Sequence, residues 1–115
     1  MQLLYALVNI GISMLIGIIF ILAARILQKN PPTDINAAYG YRTKRSMKNK
    51  KLWDAGNKYS AEVMKKNGFI MILIGSVISI LFRYPHTIIA IMVVMLLLII
   101  RLFIQVENRL KILEQ

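Results

Sequence analysis

Residues 3–27, LLYALVNIGISMLIGIIFILAARIL, hold no charged side chain before Arg25 and no proline. Small or weakly polar residues such as Asn9, Gly11, Ser13 and Gly17 are the only breaks in an otherwise apolar run. An α-helix of this length rises about 37 Å, more than the roughly 30 Å of a bilayer's hydrocarbon core. The run therefore reads as a transmembrane helix. No Lys or Arg precedes it, and it is much longer than the apolar region of a secretory signal peptide, so a retained helix is expected. Arg25 falls at its end, where the aliphatic stem can lie in the apolar zone while the guanidinium reaches the headgroups. Lys29 extends that anchor. Pro31 and Pro32 then stop the helix, since neither has an N–H to donate and Pro31 pushes Asn30 out of the α region.

Outward from this helix, residues 28–66 carry ten Lys and Arg against Asp34, Asp54 and Glu62, a net +7 out of the +10 of the whole chain. Short segments this basic stay on the cytoplasmic side of a membrane, which places the N-terminus outside. A second apolar run covers residues 68–84 and a third covers 87–106, with Arg83-Tyr84-Pro85-His86 between them. So short a connection makes these two helices antiparallel neighbours. The second is near the lower length limit, so Arg83 and Tyr84 are expected to serve as its interfacial anchors. Arg101 can snorkel toward the cytoplasm from the last turn of the third helix, and residues 107–115 form a cytoplasmic tail.

The expected fold is thus an all-α integral membrane protein with one domain in 115 residues. It has three transmembrane helices, N-terminus out and C-terminus in, and an amphipathic cytoplasmic interfacial helix between the first and second. A hydrophobic share of 57% and a mean hydropathy of +0.60 agree with lipid as the solvent. Helices gain little from apolar packing in lipid, so close approach must come from small residues. Ser13 and Gly17 on the first helix, and Gly75 and Ser79 on the second, are each four apart and are expected to meet. The third helix lacks such a face and is expected to be more lipid-exposed.

The interfacial helix is read from Ser46, a suitable N-cap, through SMKNKKLWDAGNKYSAEVMKKNG. At 100° per residue, Leu52, Trp53, Gly56, Tyr59, Ser60, Val63 and Met64 share one face, and Lys51, Asp54, Lys58, Glu62 and Lys65 the other. That apolar face suits either an anionic inner leaflet or the cytoplasmic ends of the three helices. Ahead of it, Tyr39-Gly40-Tyr41-Arg42-Thr43 places a glycine able to adopt positive φ between two amphipathic rings. Arg42 is then placed to make a bidentate bond to a phosphate or carboxylate, unless the segment is a plain interfacial loop with anchoring aromatics.

These residues resemble the signature of the SdpI family of small bacterial membrane proteins: a Gly-X-Arg-Thr turn, Ser and Asn a few residues on, then a Trp. Here the pattern falls on Gly40, Tyr41, Arg42, Thr43, Ser46, Asn49 and Trp53, with Tyr39 and Asn57 flanking it. The resemblance implies a cell-membrane protein that gives immunity to a secreted peptide toxin outside, transduces a signal to a cytoplasmic repressor inside, or does both. Longer members of that family carry an additional multi-helix N-terminal region.

Other function classes find less support in the residues. The lack of cysteine excludes disulfides, thiolate metal sites and a cysteine nucleophile. His86 is the only histidine and sits in a turn beside proline, and Asp34, Asp54 and Glu62 lack metal-ligand spacing. Asp54 and Glu62 are better placed to pair with Lys58. No enzyme, cofactor or metal is therefore expected. The basic run lies directly between two membrane helices, which favours anionic phospholipid over nucleic acid as its partner. The helix interiors carry no ionisable group of the kind transporters use, and a second copy of the chain is a further candidate partner. Two functions fit: a toxin-immunity and signalling protein binding at its cytoplasmic face through residues 39–43, Ser46, Asn49, Trp53 and Asn57, or a membrane enzyme or lipid-handling protein gripping anionic phospholipid headgroups through the Tyr39-Gly40-Tyr41-Arg42-Thr43 motif.

Overall fold

The computed structural model describes residues 1–83 and 85–114. The anchoring role expected of Tyr84 lies outside them. Three helices, α1 (Gln2–Lys29), α2 (Lys50–Leu81) and α3 (His86–Glu114), follow in order, with residues 30–49 as the connector between α1 and α2. All three are long and apolar enough to cross a membrane. The molecule is 53 Å long, well beyond the roughly 30 Å of a hydrocarbon core, so part of every helix must stand in headgroups or water.

The central element is α2, which packs along both α1 and α3, while α1 and α3 barely touch. Asn9, Ser13, Gly17, Ala24 and Leu27 form the buried stripe of α1, spaced by two fours, a seven and a three as one helical face requires. The expected meeting of small residues occurs: a Cβ added at Gly75 would strike Ser13. Gly17 lies against Gly68, and a Cβ on either would come within 2.6 Å of the other's carbonyl oxygen, so the two backbones are in contact. The Ser13 hydroxyl is buried with no hydrogen-bond partner, which means the position is chosen for size.

Several expectations need correction. The interfacial helix is not a separate element, because α2 runs unbroken for 32 residues from the basic segment into the apolar one. No proline interrupts it, and the weakest step, Asn67-Gly68, is held on both sides: Gly68 by the backbone of α1, Asn67 by its amide donating to the Leu98 carbonyl at 2.8 Å. Its N-cap is Asn49, whose Oδ1 accepts from the Leu52 N–H at 2.9 Å, not Ser46. Residues 107–114 are the final turns of α3 and not a tail, since Leu110 is fully buried against α2 and the connector. Nor is α3 the most exposed helix: α1 buries the smaller share of its apolar span.

Two apolar clusters mark two environments. Met71, Ile91 and Leu98 pack between the apolar halves of α2 and α3, while Tyr41, Leu52, Val63, Leu102, Val106 and Leu110 pack beneath the connector. Arg101 does not reach freely for headgroups, because its guanidinium donates to Oδ1 of the buried Asn67.

Gly17→Leu and Gly68→Leu should each destabilise the protein by about 1–3 kcal/mol or more through overpacking. Gly11→Leu, with nothing within 4 Å of its added Cβ, should not destabilise and should gain up to about 1 kcal/mol by removing glycine from a helix interior. Ser13→Ala should be neutral or stabilising. Thermal unfolding in detergent micelles checks all four.

Candidate functional site

The connector is a folded unit whose hydrogen bonds reach all three helices. It leaves α1 through Pro31 and Pro32, and the buried Trp53 of α2 donates its indole Nε1–H to the Pro32 carbonyl at 2.8 Å. Asn36 then forms an Asx turn, its Oδ1 accepting from the N–H groups of Ala38 and Tyr39 at 2.9 and 2.8 Å. The Tyr39 hydroxyl donates back to the Asn30 carbonyl at 2.7 Å, closing the chain onto the end of α1.

Gly40 is the one described residue with positive φ, at 110°. A Cβ there would also run into the Asn57 side chain and Pro32 Cγ. The turn and the close approach therefore both require glycine. Asn57, 2% exposed, accepts from the Tyr41 N–H at 2.6 Å through Oδ1 and donates from Nδ2 to the Trp53 carbonyl at 2.8 Å. One side chain thereby satisfies a buried donor of the connector and a carbonyl of α2.

Beyond the turn the chain reaches α3. The Tyr41 ring is buried, and its hydroxyl donates to Glu107 Oε2 at 2.7 Å. Thr43 Oγ1 donates to the same oxygen at 3.0 Å, and Arg45 Nη1 donates to Oε1 at 3.0 Å. Arg45 also bridges to Glu114 at 3.0 Å, where Lys48 joins at 3.3 Å. Ser46 is fully buried: its Oγ accepts from the Thr43 N–H at 2.8 Å, and Thr43 Oγ1 accepts from the Ser46 N–H at 3.1 Å. Burial foremost, then the hydrogen bond to Glu107, pushes the Tyr41 hydroxyl's pKa well above the ordinary tyrosine range. The hydrogen bond from Lys48 holds the exposed Glu114 carboxyl below the usual range.

Of the residues singled out in the sequence, Tyr39, Gly40, Tyr41, Thr43, Ser46, Trp53 and Asn57 are thus brought together, and their side-chain polar atoms bond to the connector, the end of α1, α2 or Glu107 of α3. Asn49 acts as the cap of α2. Arg42 of the Tyr-Gly-Tyr-Arg-Thr run is exposed, with no ion pair or hydrogen bond among the described residues. It lines an apolar cleft of about 360 Å³ between α1 and α3, with Leu27, Tyr39, Tyr41, Met64 and Phe103 among its neighbours. Asp54 pairs with Lys50 at 2.8 Å and not with Lys58. The Arg109 guanidinium sits 5.3 Å from the centroid of the half-buried Tyr59 ring, and Trp53 is fully buried and so not spread on a lipid surface.

Sequence reasoning missed Arg45, Glu107 and Glu114. The signal lay in spacing: two carboxylates seven apart fall on one face of a helix, and they are the only carboxylates on α3.

Comparison with known proteins identifies the family. Residues 32–105 match the SdpI/YfhL protein family, a stretch running from the Pro32 that receives Trp53 through α2 and most of α3. The chain belongs to this family, and it is a multi-pass membrane protein. A relative from Bacillus subtilis (strain 168), described as uncharacterized protein YfhL, is 41% identical over 69 residues, covering 56% of this chain and 63% of the relative. The similarity thus spans less than two thirds of that relative's length. No solved structure matches.

The Tyr41 hydroxyl should ionise only above the ordinary tyrosine value of about 10. Because its folded pKa is raised, its stabilising contribution is complete below the unfolded value and is lost as pH rises through the folded one. A spectroscopic titration of phenolate checks this, and Tyr41→Phe should remove the late step. Asn57→Ala should cost about 1–3 kcal/mol by stranding the buried Tyr41 N–H, as measured by thermal unfolding.

Proposed function

We propose that this chain is a membrane binding protein of the toxin-immunity and signalling kind, oriented with its N-terminus outside and its connector in the cytoplasm. The orientation is supported by the net +7 of residues 28–66, which is costly to translocate. The function is supported by membership of the SdpI/YfhL family together with one observation: the connector is hydrogen-bonded to α1, through the Tyr39 hydroxyl and the Ile26 carbonyl at 3.4 Å, and to α2 and α3. A ligand that shifts any helix against the others must disturb the connector surface, and a partner held on that surface must in turn bias the helices. Arg42, the exposed cation of the family turn, is the residue assigned to that contact.

A second function, gripping a phospholipid headgroup through the same turn, is favoured by the apolar cleft beside Arg42. Within residues 39–43 it rests on Arg42 alone, since the polar groups of Tyr41 and Thr43 are taken up by Glu107.

Expression in a toxin-sensitive bacterium, challenged with culture fluid from sibling cells that secrete a killing peptide, should raise survival. Arg42→Ala should remove that protection while the chain still reaches the membrane at wild-type levels. Unchanged survival on expressing the wild-type chain counts against immunity, and labelling of a Lys51→Cys variant from outside intact cells counts against the orientation.

A further inference from the structure

Arg25 and Lys29 lie one turn apart on α1, and Lys65 stands beside them on α2. Together with Ile21 and Gln28 they line a cleft of about 340 Å³ between these helices. All three cations are exposed, and none has an ion pair or hydrogen bond among the described residues. No carboxylate lines the cleft. Elsewhere on the same end of the molecule Arg45 and Lys48 are answered by Glu107 and Glu114, and Lys50 by Asp54, while Arg42, Lys44, Lys58 and Lys66 have no carboxylate partner among the described residues; what sets Arg25, Lys29 and Lys65 apart is that they line one cleft. Three like charges around one cleft repel each other unless an anion sits among them.

Their height along the helices says which anion. Residues 1–24 carry no charged side chain, and neither do residues 67–82. The helices are antiparallel, with Ser13 against Gly75 and Gly17 against Gly68. Arg25 on α1, and Lys65 on α2 just beyond Lys66, are therefore among the first charges met on leaving the apolar zone at the same end. Ile18, Leu22, Arg25 and Lys29 follow at intervals of four, three and four, so one stripe of α1 passes from apolar to basic. Leu22 on that stripe is 54% exposed.

We infer that this cleft is a binding site for an anionic phospholipid, with the headgroup phosphate among Arg25, Lys29 and Lys65 and an acyl chain along Ile18 and Leu22. A free phosphate would meet the same cations but would have no use for the apolar stripe that leads into them. The bilayer itself delivers a molecule with both parts in this orientation. The site lies on the α1 and α2 side of the molecule, apart from the Arg42 cleft, and does not depend on the immunity function.

The test is native mass spectrometry of the full chain in detergent, with phosphatidylglycerol or phosphatidylcholine of equal chain length. The wild-type chain should retain phosphatidylglycerol preferentially. The triple variant R25Q/K29Q/K65Q should retain it less by about tenfold or more, whereas K44Q/K58Q/K111Q, which removes as much charge elsewhere, should retain it as wild type does. Should the first triple variant fail to fold, Lys65→Gln alone, at an exposed position, should still lower retention. Equal retention of the two lipids by wild type, or equal loss in both triple variants, overturns the site. Release of the lipid by millimolar inorganic phosphate overturns the assignment to lipid in favour of a free anion.

Discussion

Contact between the backbones of α1 and α2 at Gly17 and Gly68 sets the geometry of everything else. In lipid, apolar side chains gain little by leaving hydrocarbon for a helix partner, so association depends on close dispersion contact that only small residues permit. With those two glycines touching, Ser13 falls on Gly75 at one end of the pair. At the other end, the terminus of α1 comes near enough to α2 for Trp53 to reach the Pro32 carbonyl. A wider spacing would leave both the indole and that carbonyl unpaired.

The connector half obeys a different rule. Its neighbours are charged and its surroundings aqueous, so burial of Leu52, Val63, Val106, Leu110 and the Tyr41 ring is driven by the hydrophobic effect, worth about 1.5–3 kcal/mol for each large aliphatic or aromatic side chain. Burial there obliges the polar atoms to find partners. Asn57, Ser46 and Trp53 do so within the connector and α2, and the Tyr41 hydroxyl does so through a carboxylate of α3. One chain thus combines a lipid-facing half held by shape with a water-facing half held by burial and hydrogen bonds.

This division explains how much could be read in advance. Three membrane helices were legible because their apolar runs are long and uncharged, and the small-residue contact was legible because spacing by four is a property of the helix itself. The amphipathic face of residues 52–64 was likewise correct, and of its two possible coverings the structure selects the helix ends. What failed was punctuation. Asn67-Gly68 looks like a place to stop a helix, yet both residues are held by neighbours distant in sequence, and local propensity gave way to tertiary contact. Glu107 was unreadable as part of the site because its three donors, Tyr41, Thr43 and Arg45, lie more than sixty residues earlier. Arg45, three residues after Arg42, was not singled out, yet it takes both carboxylates of α3.

The unbroken course of α2 has a mechanical meaning. A rod of 32 residues measures about 48 Å and, lacking proline, has no joint at the lipid boundary where bending could dissipate a displacement. A small piston stroke or twist imposed near Leu81 must arrive at Trp53 nearly undiminished, and there it is geared directly to the Pro32 carbonyl and the Gly40 turn. The protein's two faces are thereby in stiff mechanical register, as the two ends of an axle are.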